Sequence, residues 1–310
     1  MSKFINPFTD VGFKRIFGQE INKDLLIDFL NALLEGERQV KDIQFLDKEL
    51  LPVYEKDRGL IYDVYCTDEK GEQFIVEMQN KEHVNFRERT LYYLSQAISR
   101  QGEKGAEWQF NLKAVYGVFF LNFSLTDLPH KLRTDIVLAD RDTHELFTDK
   151  MRYIFIELPS FTKEEDECEN DFERWIYVLK NMEKLQRLPF KARKAVFEKL
   201  EQIVDIAAMS KEDRMKYDES IKVYRDQLVT MEYERQKGKA EGFAEGKAEG
   251  EATGFAKGKA EGIAEGFAKG IAEGEAKLRL KNARGMKAAG IAPDLIAQIT
   301  GLPLETVEGL

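Results

Sequence analysis

The feature that most restricts the possible folds is a pair of apolar-rich runs, Leu60-Ile-Tyr-Asp-Val-Tyr-Cys66 and Gln73-Phe-Ile-Val-Glu-Met-Gln79, separated by the polar segment Thr67-Asp-Glu-Lys-Gly-Glu72. Alternation with a period of two predicts two strands, and a glycine among charged residues predicts a tight turn between them. With Glu69, Lys70 and Gly71 as a three-residue loop, Asp68 pairs with Glu72, and counting back along both strands sets Asp63 opposite Glu77. Glu77 and Gln79 then share one face of their strand while Phe74, Val76 and Met78 take the other. Directly opposed like charges destabilise a sheet. A cation between them removes that cost, and hard oxygen ligands suit Mg²⁺ or Mn²⁺. The competing reading is a solvated hairpin face whose charges only maintain solubility.

Composition narrows the classes. A chain of 310 residues accommodates two domains, or one domain with extensions, and 43% hydrophobic residues support a sizeable core. The formal net charge of −9 argues against a generally basic nucleic-acid coat, so DNA contact requires a local patch. Cys66 and Cys168 are too few for a disulfide framework, and no cationic-then-apolar leader precedes Phe4. No apolar run approaches a membrane span, and the expectation is a cytoplasmic protein without membrane partners. His83, His130 and His144 are scattered, with no Cys/His spacing that suggests zinc. Neither a G-x-S-x-G elbow nor a phosphate-binding glycine loop occurs in the globular part.

Along the chain, Thr9 or Asp10 can cap a helix beginning near Val11, with Phe13, Ile16 and Phe17 as its apolar stripe and Gly18 as its stop. Leu25, Leu26, Phe29, Leu30 and Leu33 have helical spacing over 23–34, and Gly36 ends that helix. Residues 40–49 read as a strand or extended stretch. After Gln79 a helix is expected from Phe86 to Arg100, on which Arg89, Tyr93, Gln96 and Arg100 line one face. This stripe reads either as solvent face or as a phosphate- and base-contacting helix. Gly102 to Gly105 breaks it. Lys113–Leu121 is a continuous apolar run typical of a strand buried on both faces, and 133–138 and 151–158 are further strand candidates. Helices then follow over 172–188 and 191–209, and from Lys211 onward. The order describes an α/β protein with a mixed sheet. His144, Glu157 and Asp171 read as surface or capping residues.

Between Gly238 and Gly274 a glycine recurs at every fourth position, always with alanine two places later. Each glycine weakens a helix by about 1 kcal/mol relative to alanine. A period of four against 3.6 residues per turn winds the glycine stripe by about 40° per repeat, so no fixed face results. The reading is a helical spacer able to self-associate into a homo-oligomer, with a disordered linker as the alternative. The end resembles a helix-turn-helix, with Ala297 as the small residue, Gly301 at the turn and Val307 buried. Its second helix carries Glu305 and Glu308 and no base-reading side chain, which favours protein contact over DNA reading.

Together, Asn6-Pro-Phe-Thr-Asp10-x-x-Phe13-Lys14-x-x-Phe17-Gly18, Tyr62-Asp63-Val64, Glu77-Met78-Gln79 and Tyr92-Tyr93-x-x-Gln96 closely resemble the Rpn type (recombination-promoting nuclease and transposase) of PD-(D/E)XK nucleases. The resemblance covers nearly the whole chain, including the tail and its I-A-x-x-T-G-L motif. It implies a restriction-endonuclease-like core, a mixed four-stranded sheet flanked by helices, followed by a helical C-terminal extension. It also implies a divalent metal at the hairpin and DNA as substrate. Position by position, Asp63 matches the PD aspartate and Glu77 the acidic residue of the second half-motif. Met78 offers its backbone carbonyl to the metal. Gln79 stands in the lysine slot and Tyr62 where the proline would be. Asp10, Lys14, Arg89, Tyr93 and Gln96 are expected to support the site or contact substrate.

The expected organisation is a nuclease-like core over 1–165, a helical region over 166–236, the repeat over 237–276 and a small helical tail over 277–310. The expected activity is Mg²⁺- or Mn²⁺-dependent hydrolysis of DNA phosphodiesters, associated with recombination or mobile elements. The alternative is a nuclease fold that binds DNA or assembles with weak or no turnover, since Gln79 can orient groups by hydrogen bonds but cannot supply a cation.

Overall fold

A computed structural model describes residues 2–50, 60–102, 109–125, 130–190 and 194–310. The expected starting point of a helix at Lys191 and most of the Gly102–Gly105 break lie outside these residues. The chain divides into two compact units, Met1–Leu228 and Val229–Leu310.

In the first unit the described strands form a mixed six-stranded sheet with strand order β1(Ile43–Phe45), β4(Val64–Asp68), β5(Gln73–Gln79), β6(Val115–Leu121), β8(Leu146–Glu157), β7(Arg133–Ala139). The pairs β5·β6 and β6·β8 are parallel, and the other pairs are antiparallel. The sheet is therefore wider than the four strands expected, by the short edge strand β1 and by an additional strand on the far side. Two further segments, β2(Glu49–Leu50) and β3(Leu60–Ile61), pair separately.

The turn folds as its residues dictate. Gly71 adopts φ +79°, the Asp68 N–H donates to the Glu72 carbonyl at 2.9 Å, and Asp68 Oδ1 accepts from the N–H groups of Lys70 and Glu72. The resulting register pairs Val64 with Val76 and Thr67 with Gln73, and one more step brings Asp63 opposite Glu77. The first strand, however, is not continuous. β3 pairs with β2, β4 begins only at Val64, and Tyr62 and Asp63 lie between them.

Every residue of β6 is buried, as its uninterrupted apolar run requires. On one face of the sheet pack α1(Asp10–Phe17), α2(Lys23–Leu33), α4(Asp171–Asn181), α5(Ala195–Val204) and the start of α6(Lys211–Ala288). Phe13, Phe17, Phe29 and Trp175 form an aromatic cluster there with Phe120 of β6. The opposite face carries α3(Phe86–Ser99), whose Phe86, Leu94 and Ala97 meet Ile75, Phe119 and Phe155. Gly117 permits this approach: a Cβ there would lie 2.6 Å from Leu94 Cδ1.

Glu157 departs from its expected place at the surface. It is fully buried, because β8 ends beneath the segment containing Leu125, whose N–H donates to Glu157 Oε2 at 3.2 Å. His144 is exposed at a turn with φ +62°. Asp171 begins α4, capped by Asn170, and pairs with Arg174 and Lys194.

In the second unit α6 continues through the repeat. All residues from 238 to 274 are exposed, and a Cβ on any of the ten repeat glycines would meet nothing within 4 Å. Helices α7(Pro293–Thr300) and α8(Leu304–Glu308) close on the end of α6 around Ala283, Ile296 and Val307, with Gly301 in the left-handed conformation at the turn, φ +67°. Among the described residues no helix is long and apolar enough to cross a membrane.

Candidate active site

Where β4 gives out, β5 continues, and the site is built on that mismatch. Asp63 lies just before β4, opposite Glu77 at a position where the two strands exchange no backbone bonds, and its N–H donates to Glu77 Oε1 at 3.0 Å. In return the Met78 N–H donates to Asp63 Oδ2 at 3.0 Å. The N–H and C=O of a strand residue point to the same side, so the Met78 carbonyl also faces the Asp63 side, just before the start of β4. Gln79 alternates, and its carbonyl accepts from the Asn122 N–H at 2.9 Å on the β6 side. Asp63, Glu77 and the Met78 carbonyl thus converge at one strand end.

Two cations from different helices flank the pair. Lys14, on α1, forms an ion pair with Asp10 one turn before it, and its Nζ lies 3.9 Å from Asp63 Oδ1. Arg89, on α3, donates to Gln79 Oε1, and Gln79 Nε2 donates to Glu77 Oε2 at 3.1 Å. The amide of Gln79 is therefore held at both ends, between a carboxylate and a guanidinium. The Arg89 guanidinium stands 5.6 Å from the centroid of the Tyr93 ring, and the Tyr93 carbonyl accepts from the Tyr62 hydroxyl at 2.9 Å. Gln96 lies on α3 seven residues beyond Arg89, about 10 Å along the axis, and takes part in none of these contacts.

Burial sets the protonation chemistry. Glu77 is 3% exposed. Desolvation, reinforced by the Asp63 charge, pushes its carboxyl up to about 8 against the opposing pull of the Asp63 N–H, Arg89 and Gln79. Asp63 is also raised, again chiefly by burial, with the Met78 N–H and Lys14 opposing and Asp10 adding to the rise. Two neighbouring carboxyls that both resist ionisation form a site that favours an incoming cation.

Beside Asp63 a cleft of about 200 Å³ is lined in part by Asp10, Met78, Asn80, Ser220 and Tyr224. The Asn80 Nδ2 donates to the Phe8 carbonyl at 2.7 Å, while Asn80 Oδ1 is buried without a hydrogen-bond partner. The α6 residues fasten the opening motif to the site. The Asn6 N–H donates to the Tyr217 hydroxyl at 2.9 Å, the Val11 N–H to Ser220 Oγ at 3.4 Å, and Asn122 Nδ2 to the Tyr224 hydroxyl at 3.3 Å. None of Asn80, Tyr217, Ser220 and Tyr224 was anticipated. The only local signal is the spacing Tyr217, Ser220, Tyr224, which places polar groups on one face of a helix.

The donor set fits a hard divalent ion. Two carboxylates, a strand carbonyl and the unsatisfied oxygen of Asn80 are all oxygen donors, and the cleft leaves room for coordinated water. Mg²⁺ is typically held by one or two carboxylates and keeps several waters. Among the described residues no three Asp, Glu, His or Cys side chains gather into a closed cage, which is the arrangement a structural zinc site would use.

Comparison with known proteins adds the family. The family model described as PD-(D/E)XK nuclease family transposase matches residues 7–234, from the opening motif through the part of α6 that holds it. No curated protein and no solved structure matches the chain. Since the matched stretch takes in both carboxylates, the two helices that bring cations to them and most of the chain, the protein belongs to the PD-(D/E)XK nuclease family transposases.

Proposed function

We propose that this protein is a metal-dependent DNA endonuclease that hydrolyses phosphodiester bonds at the start of β4, in the service of recombination or mobile elements. The observation that carries the reading is the crossed hydrogen bonding of Asp63 and Glu77 at a strand end, with Lys14 and Arg89 on either side. Asp63, Glu77 and the Met78 carbonyl would hold Mg²⁺ or Mn²⁺. The bound ion would lower the pKa of a coordinated water and neutralise charge on the scissile phosphate.

This chain's own residues do the positioning. Among the described residues Lys14 is the cation paired with Asp63, and it would supply the positive charge that the lysine slot lacks in Gln79. Arg89 offers a guanidinium suited to a phosphate oxygen. Gln79 couples Arg89 to Glu77 and fixes the orientation of both. Asp10 holds Lys14, and Tyr93 backs Arg89. The test is nicking of supercoiled plasmid with Mg²⁺ or Mn²⁺ by the parent, Asp63→Ala and Glu77→Ala. Equal nicking by all three sinks the site assignment.

Gln79 in place of lysine and the net charge of −9 favour a second reading, a nuclease fold that binds DNA or assembles with little turnover. Gel retardation of DNA by a parent that nicks nothing would select it. In either reading we assign self-association to the repeat of α6, whose Phe243, Phe255, Ile263, Phe267 and Ile271 are exposed, each directly after a glycine. Deletion from Lys237 onward should lower the oligomer mass in light scattering by more than the deleted residues account for, and an oligomer of unchanged chain number would sink the assignment.

A further inference from the structure

On the α3 side of the carboxylates lies a second and larger groove, about 630 Å³, whose lining includes Ile61, His83, Glu88, Arg89, Tyr92 and Tyr93. We propose that this groove seats an unpaired nucleobase of the DNA substrate, so that the site acts on single-stranded or locally opened DNA. The inference rests on the nuclease reading for its substrate and extends it to a substrate class.

The lining distinguishes a base from a phosphate track. Grooves that follow a nucleic-acid backbone carry rows of Lys and Arg. Here Arg89 is the one permanent cation among the described lining residues, and Glu88 would repel phosphate. What the groove offers instead is aromatic and apolar surface outside both cores. Tyr92 is 38% exposed and Ile61 62% exposed. Aromatic side chains bind unpaired bases by stacking, which tolerates any sequence because every base has a π-face. Glu88 adds an acceptor for an exocyclic amine.

Continuity with the carboxylates decides the ligand. Arg89 lines the groove, faces the Tyr93 ring and donates to Gln79, which in turn donates to Glu77. A nucleotide whose base lies in the groove therefore has its sugar and phosphate beside Arg89, next to Asp63 and Glu77. A fully stacked duplex presents no free base face there and gains nothing from Tyr92.

The experiment measures binding of a fluorescein-labelled single-stranded oligonucleotide and of its blunt duplex to the full chain in EDTA, for the parent, Tyr92→Ala and Tyr92→Phe. Thermal melting checks that each variant is folded. The parent should prefer the single strand. Tyr92→Ala should weaken single-strand binding by about 5- to 150-fold and leave duplex binding unchanged, and Tyr92→Phe should restore the parent value. Equal affinity of the parent for both DNAs, or a Tyr92→Ala effect that is absent or the same on both, overturns the proposal, as does failure to bind any DNA. A parallel plasmid-nicking assay with Mg²⁺ separates the two ideas. Tyr92-dependent single-strand binding without nicking leaves the subsite standing and removes the nuclease reading. Nicking with single-strand binding indifferent to Tyr92 does the reverse.

Discussion

The backbone N–H of Asp63 donates to Glu77 Oε1 at 3.0 Å. A backbone donor outside the strand pairing is thereby satisfied by the side chain opposite, which links the two acidic residues directly. Replacing Glu77 by Ala removes a proposed ligand and also leaves the part-buried Asp63 N–H without its acceptor, whereas Glu77→Gln keeps an acceptor in place. Both variants should lose plasmid nicking by about 10²-fold or more. Only Glu77→Ala should also lower the melting temperature appreciably, by about 1–3 kcal/mol of stability. Melting and nicking measured on both variants check this separation.

The raised carboxyl of Glu77 makes metal-free stability depend on pH. Between the ordinary range near 4.5 and about 8 the folded protein holds a proton that the unfolded chain has released. Its stabilising contribution is complete at the acid end and is lost as pH rises through the folded value. In EDTA, thermal stability should therefore fall from pH 5 to pH 8, and Glu77→Gln should flatten that slope. Added Mg²⁺ should raise the melting temperature more at pH 8 than at pH 5, since ligation has to displace that proton. A stabilisation by Mg²⁺ that does not grow with pH would contradict the assignment of Glu77 as a ligand.

On the proposed reading, Lys14 and Gln79 divide a task that a single lysine at position 79 would perform. Lys14→Ala should lower nicking by about 10²-fold while leaving the melting temperature nearly unchanged, since Lys14 is partly exposed and its pair with Asp10 is worth little to stability. Arg89→Ala should reduce both nicking and single-strand binding, because Arg89 borders the carboxylates and the groove alike. Initial rates and anisotropy titrations on the two variants distinguish these roles.

How far the residues announced this arrangement depends on the range of the interactions. The turn at 68–72 and the Asp63 to Glu77 register follow from Asp68, Gly71 and a period of two, all local, and they were legible in the sequence. So was β6, whose unbroken apolar run leaves it no exposed face. The split at Tyr62 and Asp63 was hidden, because alternation continues through it and the break is imposed by β2, a pairing made elsewhere in the chain. Tyr217, Ser220 and Tyr224 reach the opening motif from about two hundred residues away, and helical periodicity carries no address. Glu157 looked like a surface residue because its burial is decided by the loop above it rather than by its neighbours in sequence.

Gly12 carries a close approach that the opening motif requires. A Cβ there would fall 2.2 Å from the Asn6 carbonyl oxygen and 2.7 Å from Thr9 Oγ1, the oxygen that caps α1 by accepting from the Gly12 N–H. Gly12→Ala must displace either the backbone turn or the helix, at a cost of about 1–3 kcal/mol. Because α1 carries Asp10 and Lys14, the same variant should lower nicking by more than its loss of stability explains at temperatures where it remains folded. Denaturant melts with nicking at low temperature test this.

The repeat glycines present the opposite case. A Cβ at any of them would meet nothing within 4 Å, so nothing in the isolated helix calls for glycine at these ten positions. Alanine at all of them should raise helix stability by up to about 10 kcal/mol in sum, seen as a higher melting temperature of the far-ultraviolet signal. If copies of α6 pack closely, the added methyl groups hold their backbones apart. Light scattering should then report a smaller assembly even as the helix itself becomes more stable. A variant that is both more helical and equally assembled would show that the glycines do not mediate close approach and that the exposed Phe and Ile side chains after them hold the assembly together.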